Sequence, residues 1–358
     1  MRTQILQHIE NNGPISVSEY MAMCLYTDKT GYYMKGMPFG KDGDFITAPE
    51  LTPLFGEMLG LWVAATWQQM GAPETFTLVE CGPGRGTLFA DMLRAISKAL
   101  PACANALEGH LVEISPNLKA YQQNTLKDAP CPITWHSHIG DIPNSAPMIV
   151  IGNELLDAFP VNQYELKDGK YYERLVTAHG DELAFVLSDT PTDIEACSTD
   201  VVELSPAMDN FLAELRVKLS DAPQAALLLL DYGATFRTSS ETLQALRKHT
   251  IEGIFDTPGD ADLTWHIPFA HVCDILGTAH STMTDMALFL SEIGYALRAE
   301  QAFRAAETEE EKEHIASTTK RLLDPNEMGA HFKVLGWVKD AKTEFKLQGF
   351  HHRYADSE

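Results

Sequence analysis

The chain has 358 residues, 45% of them hydrophobic and 22% charged, which is ordinary for globular proteins. This length corresponds to about two domains of roughly 150 residues, or to one elaborated domain. Fifty acidic residues against 27 basic ones give a formal net charge of −23, which disfavours binding to nucleic acid or anionic membranes because phosphate groups are bound by clustered Lys and Arg. No apolar run approaches the roughly 20 residues that span a bilayer, and the N-terminus has no targeting pattern, so we expect a cytoplasmic protein without membrane insertion.

The first predicted elements are helices. Ser16 and Glu19 have the spacing of a capping box, in which Glu19 reaches back to the backbone of the cap residue. A glycine-rich stretch then leads to the polar residues 44–50, which suit a lid. Thr52 and Pro53 start the next helix, since a cap residue followed by Pro is typical of a helix N-terminus.

From about residue 76 the sequence alternates between strand and helix patterns. The predicted buried strands are residues 76–79, 110–112, 133–135 and 148–151. Strands that alternate with helices predict a parallel, doubly wound α/β sheet.

The alternation then stops. Two turn signals, Asp168-Gly169 and Gly180-Asp181, predict an antiparallel meander within residues 162–188. A helix capped by Ser205 returns the chain to an apolar strand at 225–230, residues 281–322 read as helical throughout, and a late strand is predicted at 332–335.

The predicted organisation is an N-terminal helical and lid segment, residues 1–60, and a core, residues 61–358. The core has insertions at about 162–222 and 268–330.

The most informative motif is Glu80-x-Gly82-x-Gly84-x-Gly86, which follows the first buried strand. Glycines at this place allow a tight turn and a close approach of a ligand to a helix N-terminus. A dinucleotide site requires a different glycine spacing, and an acid at the strand end suits a ligand with a positive group. The motif is typical of class I S-adenosylmethionine methyltransferases, whose cofactor carries a sulfonium and an ammonium.

Further polar residues at strand ends extend this cofactor site. Glu113 is placed to accept hydrogen bonds from the ribose hydroxyls, Asp141 lies near the adenine, and Asn153 ends the fourth strand. The alternative for Glu113 and Asp141 is helix capping. For Glu80 capping is a poorer explanation, because a carboxylate at the end of an apolar strand needs a partner to offset its desolvation.

The sequence resembles the MidA family of S-adenosylmethionine-dependent methyltransferases. The similarity runs nearly end to end and is most specific at residues 44–50 and 153–161. It implies a class I methyltransferase, Rossmann-like doubly wound sheet, with an N-terminal helical segment, an inserted β-meander and a helical insertion. It also implies methylation of an arginine in a core subunit of respiratory complex I, with a mitochondrial matrix location for eukaryotic relatives.

Arginine methylation would need carboxylates that bind the guanidinium of the acceptor. Glu154 and Asp157 follow the fourth strand, three residues apart, and we predict that they are the catalytic pair. The alternative is that they cap a short helix. In the lid, Thr47 and Glu50 are the predicted cofactor contacts.

Two further residues are weaker candidates for the chemistry. Asp231 could line the acceptor pocket, and His266 is a possible general base. The six scattered cysteines and the paired histidines give no ligand set for a metal, so we predict none.

Three other functions remain open. The chain could be an assembly chaperone with a regulatory or vestigial cofactor pocket, or a small-molecule methyltransferase. A dehydrogenase is the weakest alternative, because the glycine spacing does not fit. The sequence does not determine the oligomeric state.

Overall fold

The computed structural model describes residues 1–35, 47–195, 199–236, 240–339 and 345–351. Its helices are α1 (Arg2–Asn12), α2 (Val17–Tyr26), α3 (Tyr32–Lys35), α4 (Ala48–Leu51), α5 (Pro53–Gln69), α6 (Thr87–Ala99), α7 (Pro101–Ala106), α8 (Pro116–Thr125), α9 (Pro206–Asp221), α10 (Phe269–Leu276), α11 (Met286–Glu292), α12 (Tyr295–Ala305), α13 (Glu309–Leu323) and α14 (Met328–His331). Short 3-10 helices cover Ile139–Asp141 and Leu156–Ala158. None of the helices in these ranges is long and apolar enough to cross a membrane.

The strands are β1 (Ile15–Ser16), β2 (Phe76–Cys81), β3 (Leu107–Val112), β4 (Ile133–His136), β5 (Met148–Asn153), β6 (Asn162–Lys167), β7 (Lys170–His179), β8 (Glu182–Pro191), β9 (Val201–Leu204), β10 (Ala225–Ala234), β11 (Gln244–Arg247), β12 (Thr250–Glu252), β13 (Asp262–Thr264), β14 (Ile267–Pro268), β15 (Ser281–Asp285) and β16 (Phe332–Val338). Each strand predicted from the sequence is present, most of them a few residues longer than predicted.

The chain folds into two compact units that alternate along the sequence. The meander unit comprises the described residues of Met1–Phe45, Leu156–Phe211 and Thr235–His271. The parallel-sheet unit comprises those of Ile46–Leu155, Leu212–Ala234 and Val272–Glu358. The division proposed from the sequence, at residue 60 with insertions at about 162–222 and 268–330, stays a prediction.

The parallel-sheet unit is built on strands in the order β15-β16-β10-β5-β2-β3-β4. The strands from β10 to β4 are parallel to their neighbours, and β16 is antiparallel to β10 and to β15. The central strand β5 is buried throughout and β10 is buried from Ala225 to Asp231, as expected for strands that are covered on both faces. This order confirms the doubly wound sheet predicted from the alternation.

Register places the ends of the central strands at one edge of this sheet. Cys81 in β2 pairs with Val112 in β3 and with Gly152 in β5. The residues that follow these three pairing positions therefore emerge together, which brings the predicted cofactor residues to the same edge.

One prediction in the parallel-sheet unit was wrong. Residues 281–322 were expected to be helical throughout, but Ser281–Asp285 forms β15, which pairs with β16. The β-branched Thr282 and Thr284 in this segment favour a strand, and pairing with β16 supplies its hydrogen bonds. Helices α11, α12 and α13 follow as predicted.

The meander unit contains the predicted antiparallel meander, formed by β6, β7 and β8. Strand β9 extends it beside β6, and the N-terminal β1 pairs with β7. A second, smaller sheet has the order β12-β11-β13.

The capping box at the start of α2 forms only in part. The Ser16 hydroxyl accepts a hydrogen bond from the Glu19 backbone N–H at 3.0 Å, as predicted. The Glu19 carboxylate does not reach back to the cap but contacts Nε2 of His8 at 2.8 Å. A hydrogen bond to His8 within the same unit has replaced the local contact that the spacing favoured.

Candidate active site

The glycine-rich turn joins β2 to α6. Gly82, Gly84 and Gly86 have φ angles of 67°, 50° and 77°, in the left-handed region that favours glycine. A Cβ atom added to Gly82 would lie 2.8 Å from Cδ1 of Leu155, so a side chain there would also force the Leu155 side chain to move. The free N–H groups at the start of α6 lie directly behind this turn.

Glu80, the penultimate residue of β2, is a buried acid with an incomplete set of hydrogen bonds. The residue is 2% exposed, and its Oε2 makes no hydrogen bond within the described residues. Burial raises the pKa of its carboxyl group to about 8. Such a group is costly in the protein alone and is suited to a ligand that brings a cation or a donor.

Glu113, directly after β3, is also buried, but both of its oxygens have partners. Oε1 accepts from the Ser115 backbone N–H at 2.7 Å, and Oε2 accepts from Nε2 of Gln122 at 3.0 Å. Burial raises the pKa of Glu113, and these hydrogen bonds work in the opposite direction. The carboxylate is held in one orientation, with lone pairs left for further donors.

Asp141 ends a 3-10 helix after β4 and is exposed to solvent. The loop around it is fixed by the buried Lys218, whose Nζ donates to the Gly140 carbonyl at 2.9 Å and to the Ile142 carbonyl at 2.5 Å. The exposed side chain of Asp141 therefore extends from a backbone segment that Lys218 holds in place.

Glu154 follows β5 and has an unusual backbone conformation for a residue with a side chain, with φ of 49°. Its Oε1 accepts from the Ala48 backbone N–H and from Nδ2 of Asn153, each at 3.1 Å. Its Oε2 is buried and makes no hydrogen bond within the described residues. Burial, with a smaller contribution from the charge of Asp231, raises the pKa of Glu154 to about 8.

The carboxylate of Asp231 holds the backbone beside Glu154. Oδ2 accepts from the Leu155 N–H at 3.0 Å, and Oδ1 accepts from the N–H of Tyr232 at 2.8 Å. These contacts identify Asp231 as an anchor of the segment after β5. Its predicted place in an acceptor pocket stays a prediction.

The predicted lid residues are described only from Thr47 onward, and residues 44–46 lie outside the described ranges. Thr47 precedes α4, and its side chain makes no capping hydrogen bond. Glu50 is tied to the glycine-rich turn, because Oε2 accepts from Nη1 of Arg85 at 3.1 Å and Oε1 accepts from the hydroxyl of Thr87 at 2.7 Å. The Glu50 carboxylate thus positions the turn, and its predicted contact with the cofactor stays a prediction.

Two candidates belong to the meander unit. Asp157 lies in the 3-10 helix Leu156–Ala158 and is 9% exposed. The backbone N–H of His266 donates to the hydroxyl of Thr242 at 2.9 Å. The roles predicted for Asp157 and His266 stay predictions.

Sequence reasoning missed two residues in this region. Gln122 is completely buried and contacts both Glu113 and the glycine-rich turn. It lies among polar residues, so the sequence pattern gives no indication that it is buried. Ile114, next to Glu113, is 55% exposed. The sequence shows only an apolar residue directly after Glu113, and its exposure is known only from the structure.

The described residues contain no group of three or more His, Cys, Asp or Glu side chains that could hold a metal ion. The histidines that do meet are His110 and His136, with Nδ1 and Nε2 2.8 Å apart. Burial, and to a lesser extent the charge of His136, lowers the pKa of His110 to about 4. The cysteines in the described ranges form no disulfide with one another, and Cys197 lies outside those ranges.

Comparison with known proteins decides the family. A family described as putative S-adenosyl-L-methionine-dependent methyltransferases matches residues 58–287. The chain belongs to this family. The methyltransferase is 32% identical to the protein arginine methyltransferase NDUFAF7 homolog, mitochondrial, of Drosophila melanogaster, over 93% of this chain and 83% of the relative. It is 28% identical to the human protein arginine methyltransferase NDUFAF7, mitochondrial, over 96% of this chain and 84% of that protein.

A solved structure supports the same assignment. A COG1565 superfamily member from Burkholderia thailandensis, bound to S-adenosyl-homocysteine, superposes with a TM-score of 0.84 at 26% identity and covers 98% of this chain and 94% of its own. The predicted class I fold, the membership suggested by the MidA resemblance and the cofactor, S-adenosylmethionine, are confirmed.

Proposed function

We propose that this methyltransferase modifies arginine side chains of a protein acceptor, and that Glu154 binds the guanidinium. The observation that carries this proposal is the buried Oε2 of Glu154, which makes no hydrogen bond within the described residues. Burial also raises the pKa of this carboxyl group to about 8. A guanidinium supplies both the donors and the positive charge that this group lacks. The relatives named protein arginine methyltransferases support the same choice of acceptor.

The cofactor would be held along the edge of the parallel sheet. Glu80 would accept hydrogen bonds from an ammonium, and Gly82, Gly84 and Gly86 would leave space for the methionine part. Glu113 would accept from the ribose hydroxyls, while the exposed Ile114 would cover one face of the adenine. Additional contacts are assigned to Asp141, Asn153, Thr47 and Glu50. When bound, S-adenosylmethionine supplies the methyl group.

Glu154 would prepare the acceptor for transfer. A guanidinium nitrogen is a poor nucleophile, because its positive charge is delocalised and its pKa exceeds about 12. A carboxylate that binds two N–H groups draws the charge toward them and aims the remaining nitrogen. A carboxyl group with a pKa near 8 can also accept the proton that the methylated nitrogen must lose. Asp157 is proposed as the second carboxylate of this pair.

The acceptor is proposed to be an arginine-containing core subunit of respiratory complex I or its bacterial counterpart. The formal charge of −23 favours a basic acceptor segment. The relatives above carry mitochondrial names, and for a bacterial chain we propose a cytoplasmic location.

The test is transfer of labelled methyl groups from S-adenosylmethionine to purified complex I subunits and to arginine-containing peptides, with the product located by mass spectrometry. We expect label on arginine in the wild type and in Glu108→Gln, which changes an exposed acid of the same unit, and no label in Glu154→Gln. Label on lysine or only on small molecules would overturn the arginine assignment. Cofactor binding without transfer to any acceptor would favour the chaperone alternative.

A further inference from the structure

Gln122 is an unusual residue within α8. It is completely buried, whereas its neighbour Gln123 is exposed to solvent. A buried amide without hydrogen bonds is costly, so each of its polar atoms must be accounted for.

All the polar groups of this amide are used. Nε2 donates to the Gly84 carbonyl at 2.8 Å and to Oε2 of Glu113 at 3.0 Å. Oε1 accepts from Nε1 of Trp135 at 3.0 Å. Gln122 therefore links the glycine-rich turn after β2, the acid after β3 and a residue of β4.

The hydrogen-bonding partners fix which way the amide points. The indole of Trp135 can only donate, so the amide oxygen must face it. The two amide hydrogens then face Gly84 and Glu113, which offer only acceptors when Glu113 is ionised. Since the Ser115 N–H holds the other oxygen of Glu113 at 2.7 Å, the carboxylate is fixed at both ends.

We infer that Gln122 is a positioning residue for the cofactor, which holds the Glu113 carboxylate and the Gly84 backbone in one fixed relation. Glu113 is predicted to bind the ribose, and the glycine-rich turn is predicted to border the methionine part. Gln122 therefore sets the spacing between the two halves of the cofactor site. The inference rests on the predicted role of Glu113 and does not depend on the acceptor.

Two substitutions separate the amide chemistry from packing. Gln122→Met retains length and bulk but leaves the Gly84 carbonyl, Glu113 and the Trp135 N–H without their partner. Gln122→Glu places a carboxylate oxygen against Glu113 and the Gly84 carbonyl, where like charges and lone pairs repel. Gln123→Met is the matched control, because it makes the same change one residue away at an exposed position.

The experiment compares two ligands by calorimetry: S-adenosylhomocysteine and its 2′-deoxyribose analogue. We expect the wild type and Gln123→Met to prefer S-adenosylhomocysteine. In Gln122→Met, binding of S-adenosylhomocysteine should weaken about tenfold and binding of the analogue by less, so that the preference shrinks. Gln122→Glu should show the larger loss, with partial recovery toward lower pH as a carboxylate is protonated.

Equal weakening of both ligands in Gln122→Met, or unchanged binding, would overturn the inference. Glu113→Gln is measured in parallel, and a retained preference in that variant would show that the ribose role of Glu113 is wrong. Thermal unfolding without ligand checks that each variant is folded. If Gln122→Met does not fold, Trp135→Phe is used instead: it releases the amide from its indole donor, and an undiminished preference there contradicts the inference.

Discussion

Two sets of buried acids in this protein differ in how their charge is satisfied. Glu203, in the meander unit, is 1% exposed and surrounded by donors. Its hydrogen bonds come from Nε2 of Gln163, the N–H and hydroxyl of Thr242, and the N–H of Leu243. Glu80 and Glu154, in the parallel-sheet unit, each keep a buried oxygen that makes no hydrogen bond within the described residues.

We propose that this difference separates acids that stabilise the fold from acids that bind a ligand. Burying a carboxylate costs free energy unless donors replace its water, and Glu203 has such donors within its own unit. Glu80 and Glu154 each have one buried oxygen without a donor among the described residues, and burial raises the pKa of each to about 8. A buried carboxyl group that binds a cation needs an oxygen that has no donor before the cation binds.

The largest expected effect is that of Glu154→Gln on methyl transfer. An amide can neither localise the guanidinium charge nor accept its proton, so methyl transfer should fall by about 100-fold or more. The affinity for S-adenosylmethionine should stay within about twofold of the wild type. Single-turnover transfer and calorimetry measure the two quantities, and a large loss of cofactor affinity would move Glu154 into the cofactor site.

The next largest effect is that of Glu80→Gln on the affinity for S-adenosylhomocysteine. Loss of the charge that meets the cofactor ammonium should weaken S-adenosylhomocysteine binding by about 100-fold. The free energy of unfolding at neutral pH should hardly change, because a mostly protonated acid is replaced by a neutral group of the same shape. Calorimetry and urea unfolding report these two properties. Undiminished affinity would refute the role of Glu80.

The same substitution in the meander unit should behave in the opposite way. Glu203→Gln is expected to lower the free energy of unfolding by about 1–3 kcal/mol, because several N–H donors lose a charged acceptor. Its affinity for S-adenosylhomocysteine should be unchanged. If Glu203→Gln leaves stability intact while Glu80→Gln destabilises the protein, the distinction between the two sets of acids is wrong.

A smaller effect is expected on the pH dependence of stability without ligand. Between about pH 6.5 and 8 the unfolded chain has lost the Glu80 and Glu154 protons that the folded chain still holds, so stability should fall as pH rises. Below that window His110, with a pKa lowered to about 4, acts in the opposite direction. Urea unfolding across the window should give a flatter dependence for Glu80→Gln. An unchanged slope would contradict the raised pKa.

The parallel sheet, and the edge at which the proposed cofactor residues lie, could be predicted from the sequence because they depend on local patterns. Apolar runs identify β2, β3 and β5, and the residues directly after a run must emerge at its carboxyl end. Glu113 illustrates this, since its place depends only on where β3 stops. The glycines of the turn depend equally on local structure, because their positive φ angles favour residues without a side chain.

The features that the sequence missed depend on long-range contacts. Residues 281–285 become a strand because β16 lies beside them, and this partner is almost fifty residues away in the chain. Gln122 looks like any polar residue of an exposed helix until β3 and β4 are placed next to α8. Glu19 has the local capping partner that its spacing predicts, but it contacts His8 instead.

The most direct test of the central claim is the number of protons released when S-adenosylhomocysteine binds at pH 7, measured by calorimetry in buffers of different ionisation enthalpy. If the buried Oε2 of Glu80 has no donor among the described residues and the carboxyl group has a pKa near 8, Glu80 must lose its proton when it binds the ligand ammonium. We therefore expect release of about one proton in the wild type and in Glu154→Gln, and none in Glu80→Gln. Binding without proton release, or release that disappears in Glu154→Gln instead, would contradict the account.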